Sequence, residues 1–240
     1  MNLPDQLIAF QEGQVLLIDK PKDWTSFDVV NKIRHKLKRL LKVKKIKVGH
    51  SGTLDPMATG LLIICTGKFT KKLHDFQGLD KTYTGSLLLG ATTPSYDAET
   101  PIDQKFPIDH IDQAAIEQAR QGFLGEQAQQ PPMFSAIKVD GQPLYKKARK
   151  GEKIEVKSRQ ITIHQFDVNA VSFPELQFEV SCSKGTYIRS LVHDFGKVLD
   201  SGAYMNNLRR TRIGDFKIED AWNLEEFIDQ LTDRFGPIEG

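Results

Sequence analysis

A glycine-rich segment, Gly49–Gly60, limits the possible folds of this chain more than any other part of it. The segment contains three glycines and one proline. Because glycine adopts backbone conformations that other residues avoid and proline lacks a backbone donor, the segment is a loop of special geometry. The apolar run Leu61–Cys65 follows at once and predicts a buried strand. The polar residues of the loop are therefore held directly before a buried strand.

Hydrophobic periodicity and helix-start signals predict further elements on both sides of this loop. The predicted strands are Val15–Ile18, Thr82–Leu89, Gln160–Val171 and Glu175–Ser183; the predicted helices begin at Thr25, which has capping-box spacing to Asp28, at Ile111, at Tyr187 and at Asn223. Strands and helices alternate irregularly, so we expect an α+β fold with a mixed, largely antiparallel sheet. The length of 240 residues, with 39% hydrophobic residues, fits one large domain covering 1–240.

Charge is balanced over the whole chain but unevenly distributed along it. The net charge is only +2. Three basic runs are Lys32, Arg34, Lys36, Lys38, Arg39, Lys42, Lys44, Lys45 and Lys47; Lys146, Lys147, Arg149, Lys150 and Lys153; and Arg209, Arg210 and Arg212. Acidic residues gather instead in 97–126 and after Asp215. This segregation favours a polyanionic partner, although any single run could equally be a solvated helix face.

Several common site types are absent from the sequence. Cys65 and Cys182 are far apart and form no CxxC or Cys/His cluster, so we expect no zinc site and a reducing compartment. A nucleophile elbow fails because Thr53 stands where the second glycine is needed, and a phosphate-binding loop fails at Leu62 and Phe69. The start of the chain has no signal-peptide pattern, and no apolar run is long enough for a membrane span. We therefore expect a cytoplasmic protein without a cofactor.

The loop carries a carboxylate, Asp55, which could act as a nucleophile or base, although Asp55-Pro56 taken alone is typical of a turn. The full segment resembles the catalytic loop of the tRNA pseudouridine-55 synthase family, whose pattern is close to G-H-x-G-x-L-D-P-x-A-x-G, and every fixed position is met. Further motifs resemble the same family in unchanged order from Val15 to Ile213. They are Lys20-Pro21 with Thr25-Ser26, Lys81-Thr82-Tyr83, the segment from Pro132 to Arg149, Cys182–Arg189 and Leu208-Arg209-Arg210, with Asp23 standing where the family usually has glycine.

The resemblance implies a pseudouridine synthase fold, a central mixed sheet flanked by helices and loops, and isomerisation of a uridine in the tRNA T-loop to pseudouridine. It implies that Asp55 is the catalytic nucleophile or base. Arg189 is expected to pair with the Asp55 carboxylate, because a guanidinium can hold a carboxylate in a planar pair. Tyr187 is expected beside the target base, as a candidate for the proton relay at C5. The reaction needs no redox change, metal or nucleotide.

The remaining residues implied by the resemblance bind the RNA or support the site. Tyr83 is expected to stack on the flipped uracil and His50 to contact the T-loop where the uridine leaves. Leu208 lines the base pocket or is an ordinary core leucine. Lys20 is expected to support the loop or contact phosphate, and Asp97 to support the site, with Arg189 as a candidate partner. The basic helix and the run 146–153 are expected to contact the T-arm backbone.

Many bacterial members of this family carry a small RNA-binding domain after the catalytic part, and 240 residues leave little room for one. We expect a stand-alone monomeric tRNA enzyme that needs no protein partner and no membrane. Three alternatives stay open on the sequence alone. They are a catalytically silent RNA-binding or tRNA-folding protein of the same fold, a nucleoside glycosidase using Asp55, and a guide-directed pseudouridine synthase of the archaeal and eukaryotic type.

Overall fold

The computed structural model describes residues 3–135, 137–139, 141–148, 150, 154 and 156–236. Its helices are α1 (Leu3–Glu12), α2 (Ser26–Leu40), α3 (Leu73–Gln77), α4 (Gln113–Gln121), α5 (Leu144–Ala148), α6 (Ile188–Val198) and α7 (Leu224–Phe235). Its strands are β1 (Val15–Lys20), β2 (Val48–His50), β3 (Thr59–Thr66), β4 (Lys81–Leu89), β5 (Ala91–Thr92), β6 (Gln104–Lys105), β7 (Gly125–Gln129), β8 (Lys138–Val139), β9 (Gln142–Pro143), β10 (Arg159–Ser172), β11 (Glu175–Cys182), β12 (Ala203–Ile213), β13 (Phe216–Lys217) and β14 (Trp222–Asn223). The chain divides into two compact units: unit 1 is Met1–Lys81 with Arg209–Gly240, and unit 2 is Thr82–Leu208.

Unit 1 is built around β3, the strand that the apolar run predicts. β3 pairs antiparallel with β1 and β2 and parallel with residues 209–210 of β12, and β1 pairs parallel with β14. Successive side chains of a strand point to opposite faces. Leu62 and Ile64 pack with α2 and α7 on one face, whereas Leu61 and Ile63 pack with Ile213 on the other. Both faces of β3 are therefore covered, which explains its uninterrupted apolar sequence.

The start of α2 is fixed by local chemistry. The Thr25 side chain accepts a hydrogen bond from the backbone N–H of Asp28, and the Asp28 carboxylate accepts one from the backbone N–H of Thr25. This reciprocal pair is the capping box that the sequence predicts. The buried residues of α2, among them Val29, Ile33 and Leu37, recur every three or four positions and face the core.

Unit 2 has a sheet in which β4, β11, β10 and β7 are neighbours in that order. β11 and β7 pair antiparallel with β10. Phe166 of this sheet lies in edge-on contact with Phe123, Phe178 and Phe195, with ring centroids 5.6 to 6.4 Å apart. These aromatic contacts join the sheet to α6 and to the residues after α4.

Each strand and helix predicted from periodicity is confirmed, with ends that differ by at most a few residues. Several further elements of the described residues were not predicted, and the longest of them are α1 and β12. The helix α1 has a weak apolar face, and its Ile8 is exposed. In β12 the buried positions recur at intervals of two or three residues and one of them is occupied by Arg210, so the sequence does not show an apolar alternation.

Candidate active site

Asp55 lies in the loop between β2 and β3 of unit 1 and is partly exposed. Its neighbours Leu54 and Ala58 are buried. The backbone N–H of Ala58 donates to the Asp55 carbonyl at 3.1 Å and closes a turn, and Ser51 N–H donates to the Ile63 carbonyl at 3.0 Å. The loop therefore begins beside the middle of β3 and contains a turn from Asp55 to Ala58.

The buried hydroxyl of Ser26, the first residue of α2, holds the residue before Asp55. It accepts a hydrogen bond from the backbone N–H of Leu54 at 2.9 Å and donates to the Leu54 carbonyl at 3.2 Å. Both polar groups of a buried backbone are thus satisfied by one side chain, which buried peptide groups require. Because the N–H and the carbonyl of Leu54 are both bound, the backbone position of the next residue, Asp55, is also restricted.

Lys20, at the end of β1, holds the residue after Asp55. Its side chain is fully buried, and its ammonium group donates to the carbonyls of Pro21, Trp24 and Pro56 at 2.8, 2.7 and 3.2 Å. Burial lowers the pKa of Lys20 to about 8, while the charge of Asp55 acts in the opposite direction and raises it. Lys20 therefore ties the end of β1 to the residue after Asp55. Its expected role, support of the loop or contact with phosphate, stays a prediction.

Asp23 contributes through its backbone, because its N–H donates to the Pro56 carbonyl at 2.8 Å. Asp23 has φ 65°, in the left-handed region that glycine adopts readily and other residues adopt at a cost. This conformation explains why glycine is usual in the family at the position that Asp23 occupies.

Arg210 of β12 fixes the two ends of the same loop. Its guanidinium is buried and donates to the carbonyls of Leu61 and Gly52 at 2.7 and 3.2 Å. Gly60 has φ 108°, and a Cβ atom added there would lie 2.3 Å from the Arg210 carbonyl oxygen. Glycine is required at this position both by its backbone conformation and by the close approach of β12.

His50 ends β2 and precedes the loop in unit 1. Burial lowers the pKa of its imidazole, and Arg210 lowers it further, although a hydrogen bond with the Gly52 backbone raises it. Burial, the largest of these effects, favours the neutral form of the ring. Among the described residues its Nδ1 atom has no hydrogen-bond partner. Its expected contact with RNA stays a prediction.

Arg189 and Asp97 are neighbours in unit 2. Arg189 Nε lies 3.6 Å from Asp97 Oδ2, with both side chains almost completely buried. The guanidinium also donates to the carbonyls of Ser95 and Phe134 at 3.1 and 2.8 Å. The Asp97 carboxylate accepts hydrogen bonds from the Ser95 hydroxyl at 2.5 Å and the Glu99 N–H at 3.0 Å. The pairing of Arg189 with Asp97, considered from the sequence, is thus present; its pairing with Asp55 stays a prediction.

Tyr187 is the residue before α6 and its backbone is fixed by one side chain. The Gln129 amide accepts from the Tyr187 N–H at 2.8 Å and donates to the Tyr187 carbonyl at 3.0 Å. The Arg159 guanidinium lies 5.1 Å from the centre of the Tyr187 ring, within the range of a cation–π contact. These contacts restrict the orientation of Tyr187 without using its hydroxyl.

Tyr83 and Leu208 both belong to unit 2 and both are largely buried, with 9% and 7% of their surfaces exposed. Tyr83 lies near the start of β4 and Leu208 lies within β12. Their expected contacts with the uracil ring stay predictions.

The basic runs differ in what their side chains contact. In α2, Lys32 forms an ion pair with Glu225 of α7 and Lys36 donates to Thr232 of α7. Arg209 forms a bidentate ion pair with Asp19 at 2.7 and 3.1 Å. These basic side chains, like that of Arg210, therefore bind groups within unit 1. The expectation that the whole basic helix faces RNA is too broad. Arg149 and Lys153 of the second run lie outside the described residues.

A basic cleft of about 380 Å³ lies in unit 1 beside the segment that precedes β2. Its lining includes Lys45, Lys47, Lys68 and Lys71, which are all exposed. The Gly67 N–H donates to the Lys47 carbonyl at 2.9 Å and joins the two segments that form the cleft. An ion pair of Lys68 with Glu12 places one carboxylate at this surface. Four exposed lysines of unit 1 thus line one cleft.

In the part of the chain that the structure describes, no group of three or more His, Cys, Asp or Glu side chains is arranged to hold a metal ion. No described helix is both long enough and apolar enough to cross a membrane. Cys65 and Cys182 are buried and form no disulfide with each other, and burial raises the pKa of Cys65 to about 11.

The supporting roles of Ser26, Gln129 and Arg210 are not evident from the sequence. Ser26 and Arg210 lie inside motifs that resemble the family, so their positions are marked, but the motifs do not show which groups they bind. Gln129 lies in no motif. Each acts on backbone groups that are distant in sequence, and such partners are not encoded locally.

Comparison with known proteins gives the family. Residues 38–188 match the model of the TruB family pseudouridylate synthase N-terminal domain, and residues 189–234 match that of the tRNA pseudouridylate synthase B C-terminal domain. A protein of Flavobacterium johnsoniae named tRNA pseudouridine synthase B is 55% identical over 92% of this chain and 97% of its own length. One of the same name from Chlorobaculum tepidum is 45% identical over 97% of this chain and 96% of its own length.

Solved structures agree with this result. A Cbf5-Nop10-Gar1 complex contains a chain that matches with a TM-score of 0.70 and 28% identity over 98% of this chain and 64% of its own length. A chain in an H/ACA RNP bound to a substrate RNA containing 2'-deoxyuridine matches with a TM-score of 0.66 and 27% identity over 98% of this chain and 61% of its own length. This chain spans less than two thirds of those two. The predicted α+β pseudouridine synthase fold is confirmed, and the chain belongs to the TruB family of pseudouridylate synthases.

Proposed function

We propose that this protein isomerises a uridine in the T-loop of tRNA to pseudouridine, with the Asp55 carboxylate as nucleophile or base. Membership of the family and the names of the relatives support the reaction and the tRNA substrate. The observation that carries the role of Asp55 is the fixation of its loop, because Ser26 binds Leu54 while Lys20 binds the Pro56 carbonyl. A carboxylate held in one geometry before the substrate binds can lower the barrier, since positioning is part of catalysis.

The reaction rearranges bonds within one nucleotide. The N1–C1′ bond breaks, the uracil turns, C5 joins C1′, the proton on C5 is lost to solvent, and N1 takes up a proton in its place. In the proposed mechanism Asp55 attacks the nucleotide or deprotonates the ribose while the base detaches. Tyr187 takes part in proton transfer at C5, and Arg189 provides positive charge for the reacting carboxylate. No external oxidant or reductant enters the balance.

An enzyme that acts on a base must remove it from its stack, at a cost of a few kcal/mol. Stacking on an aromatic ring returns about 1–3 kcal/mol per base. In the proposed complex Tyr83 stacks on the uracil, Leu208 lines its pocket, and His50 contacts the T-loop where the nucleotide leaves. A neutral His50 ring suits this role, because burial, which lowers its pKa, disfavours the charged form.

The basic cleft provides a phosphate-binding surface for the RNA. Exposed lysines contribute to nucleic-acid affinity by releasing counterions from phosphates, which makes binding depend on salt. Replacing Lys45 and Lys71 by glutamine should weaken binding of a T-arm RNA and reduce the slope of log K against log salt by about one for each lost phosphate contact. The matched control is Lys217→Gln, which replaces an exposed lysine of the same unit that does not line the cleft. It should leave the slope unchanged.

The remaining parts of the proposal concern organisation. We propose that the catalytic domain acts as a monomer in the cytoplasm, where its tRNA substrate is found, and that it needs no protein partner. Light scattering of the purified protein during turnover would test the monomer, and activity of the purified protein alone would test the independence from partners.

The decisive experiment measures tritium release from a T-arm stem-loop labelled at C5 of its uridines. Wild type should release tritium, and Asp55→Asn should bind the RNA without release. Binding without release by the wild type would favour the silent RNA-binding alternative. Free uracil as a product would favour the glycosidase alternative, and activity that requires an added guide RNA would favour the guide-directed one.

A further inference from the structure

Three consecutive residues of unit 2, Ser95, Tyr96 and Asp97, contact α6. The Ser95 carbonyl accepts a hydrogen bond from the Arg189 guanidinium at 3.1 Å, and Asp97 Oδ2 lies 3.6 Å from Arg189 Nε. Between these two contacts, the Tyr96 ring stacks on the His193 ring with centroids 3.7 Å apart and an angle of 9° between the planes. The segment is therefore held by two side chains of one helix.

Arg189 and His193 are four residues apart in α6. Side chains at this spacing lie on the same face of a helix, one turn apart. A movement of the Tyr96 backbone therefore changes the contacts of Arg189 as well as those of His193. The distance between Arg189 Nε and Asp97 Oδ2 lies slightly beyond hydrogen-bond length, so a shift of a few tenths of an ångström decides whether that bond forms.

Tyr96 has a backbone conformation that needs support. Its φ is 64°, which is uncommon for a bulky residue. Such a conformation persists where the surrounding contacts fix it. The Tyr96 N–H donates to the Thr93 carbonyl at 3.1 Å, and the Tyr96 carbonyl accepts from the Met205 N–H at 3.0 Å. The stacked ring of His193 is the side-chain contact that acts with these two backbone bonds.

The imidazole of His193 acts in this contact as an aromatic surface. Burial lowers its pKa to about 4, so the ring is neutral over the working range of pH. Within the described residues its Nδ1 atom has no hydrogen-bond partner. A phenylalanine ring could therefore replace the stacked surface of His193, whereas alanine could not.

We propose that His193 is a positioning residue for the isomerisation: by stacking on Tyr96 it keeps Asp97 and the Ser95 carbonyl in place against Arg189. The inference rests on the proposed function, since Arg189 is assigned to that reaction. His193 itself touches neither the RNA nor the reacting atoms in this proposal. Its effect should therefore fall on kcat rather than on binding of the RNA.

The first test compares kcat and KM for tritium release by wild type, His193→Ala, His193→Phe and Tyr96→Phe. Loss of the stack in His193→Ala should lower kcat about three- to tenfold with KM for the RNA unchanged. His193→Phe should restore most of kcat, and Tyr96→Phe, which keeps the ring, should match wild type. Wild-type kcat in His193→Ala, or equal losses in His193→Ala and His193→Phe, would overturn the proposal.

The second test does not depend on activity and separates this inference from the proposed function. The Nε–H signal of Arg189 is recorded by 15N NMR and assigned with Arg189→Lys. The signal should shift and exchange faster with water in His193→Ala, and it should remain as in wild type in His193→Phe. An unchanged signal in His193→Ala would refute the positioning role, even if all variants turn over. If the signal changed as expected but the protein showed no turnover, the contact between the stack and Arg189 would be supported and the proposed reaction would be rejected.

Discussion

Replacing Ser26 by alanine should reduce catalysis far more than its effect on stability alone would suggest. The variant leaves the buried N–H and carbonyl of Leu54 without the hydroxyl that binds both. An unsatisfied buried polar group costs about 1–3 kcal/mol, so the two together should lower the free energy of unfolding by about 2–6 kcal/mol. Because Leu54 precedes Asp55, the carboxylate should also lose its fixed position.

The effect on rate follows from the same contact. A displacement of about 1 Å in a catalytic group can cost about 100-fold in rate. We therefore expect kcat for tritium release to fall about 10- to 100-fold, with little change in the affinity for the stem-loop. Thermal unfolding measured beside the kinetics gives the stability of the same preparation.

Thr25→Ala is the matched control for Ser26→Ala. It removes the cap of the same helix, with an expected loss of about 1 kcal/mol, but leaves both hydrogen bonds to Leu54 in place. Its kcat should stay close to that of wild type. If Thr25→Ala and Ser26→Ala lowered kcat equally, or if Ser26→Ala kept wild-type kcat, the idea that Ser26 positions Asp55 would be wrong.

Three further predictions concern the surroundings of the loop. Asp23→Gly should raise the free energy of unfolding by about 1 kcal/mol in urea titrations, since glycine adopts φ 65° without strain. Gly60→Ala should lower it by at least about 3 kcal/mol and reduce soluble yield, because the new Cβ meets the Arg210 backbone. For Lys20, whose pKa falls from 10.5 to about 8 on folding, the unfolded chain holds the proton that the folded chain releases. Between pH 8 and 10.5 the free energy of unfolding of wild type should therefore rise by up to about 3 kcal/mol relative to that of Lys20→Met. Urea titrations of both proteins at the two ends of that range measure this rise. If the difference between the two proteins were the same at both pH values, the lowered pKa would be excluded.

Local sequence was sufficient to predict much of the fold. The capping box of Thr25 and Asp28 joins residues three apart, and the apolar run of β3 reflects a strand that is buried on both faces. The loop around Asp55 was predicted from its glycines and proline and from its resemblance to one family. These features depend on neighbours in sequence, so the sequence alone determines them.

Charge was less informative than it first appeared. The sequence shows three basic runs that favour a polyanionic partner, but it does not show which lysines and arginines face solvent. Lys32 and Lys36 contact α7, while Arg209 pairs with Asp19. The partner of each of these groups is far away in sequence. Only the folded chain therefore shows that these side chains bind other groups of unit 1.

The amino-acid sequence by itself determined the order of the strands and helices with clear apolar periodicity, the family and the identity of the candidate carboxylate. The tertiary structure decided how that carboxylate is held: Ser26 reaches Leu54 across 28 positions of the chain, and Arg210 reaches Leu61 across 149. It also decided that Tyr96 and His193 stack. The physical reason is that caps, turns and periodic faces arise from interactions over a few residues, whereas buried polar groups take whichever partner the fold brings within hydrogen-bond distance.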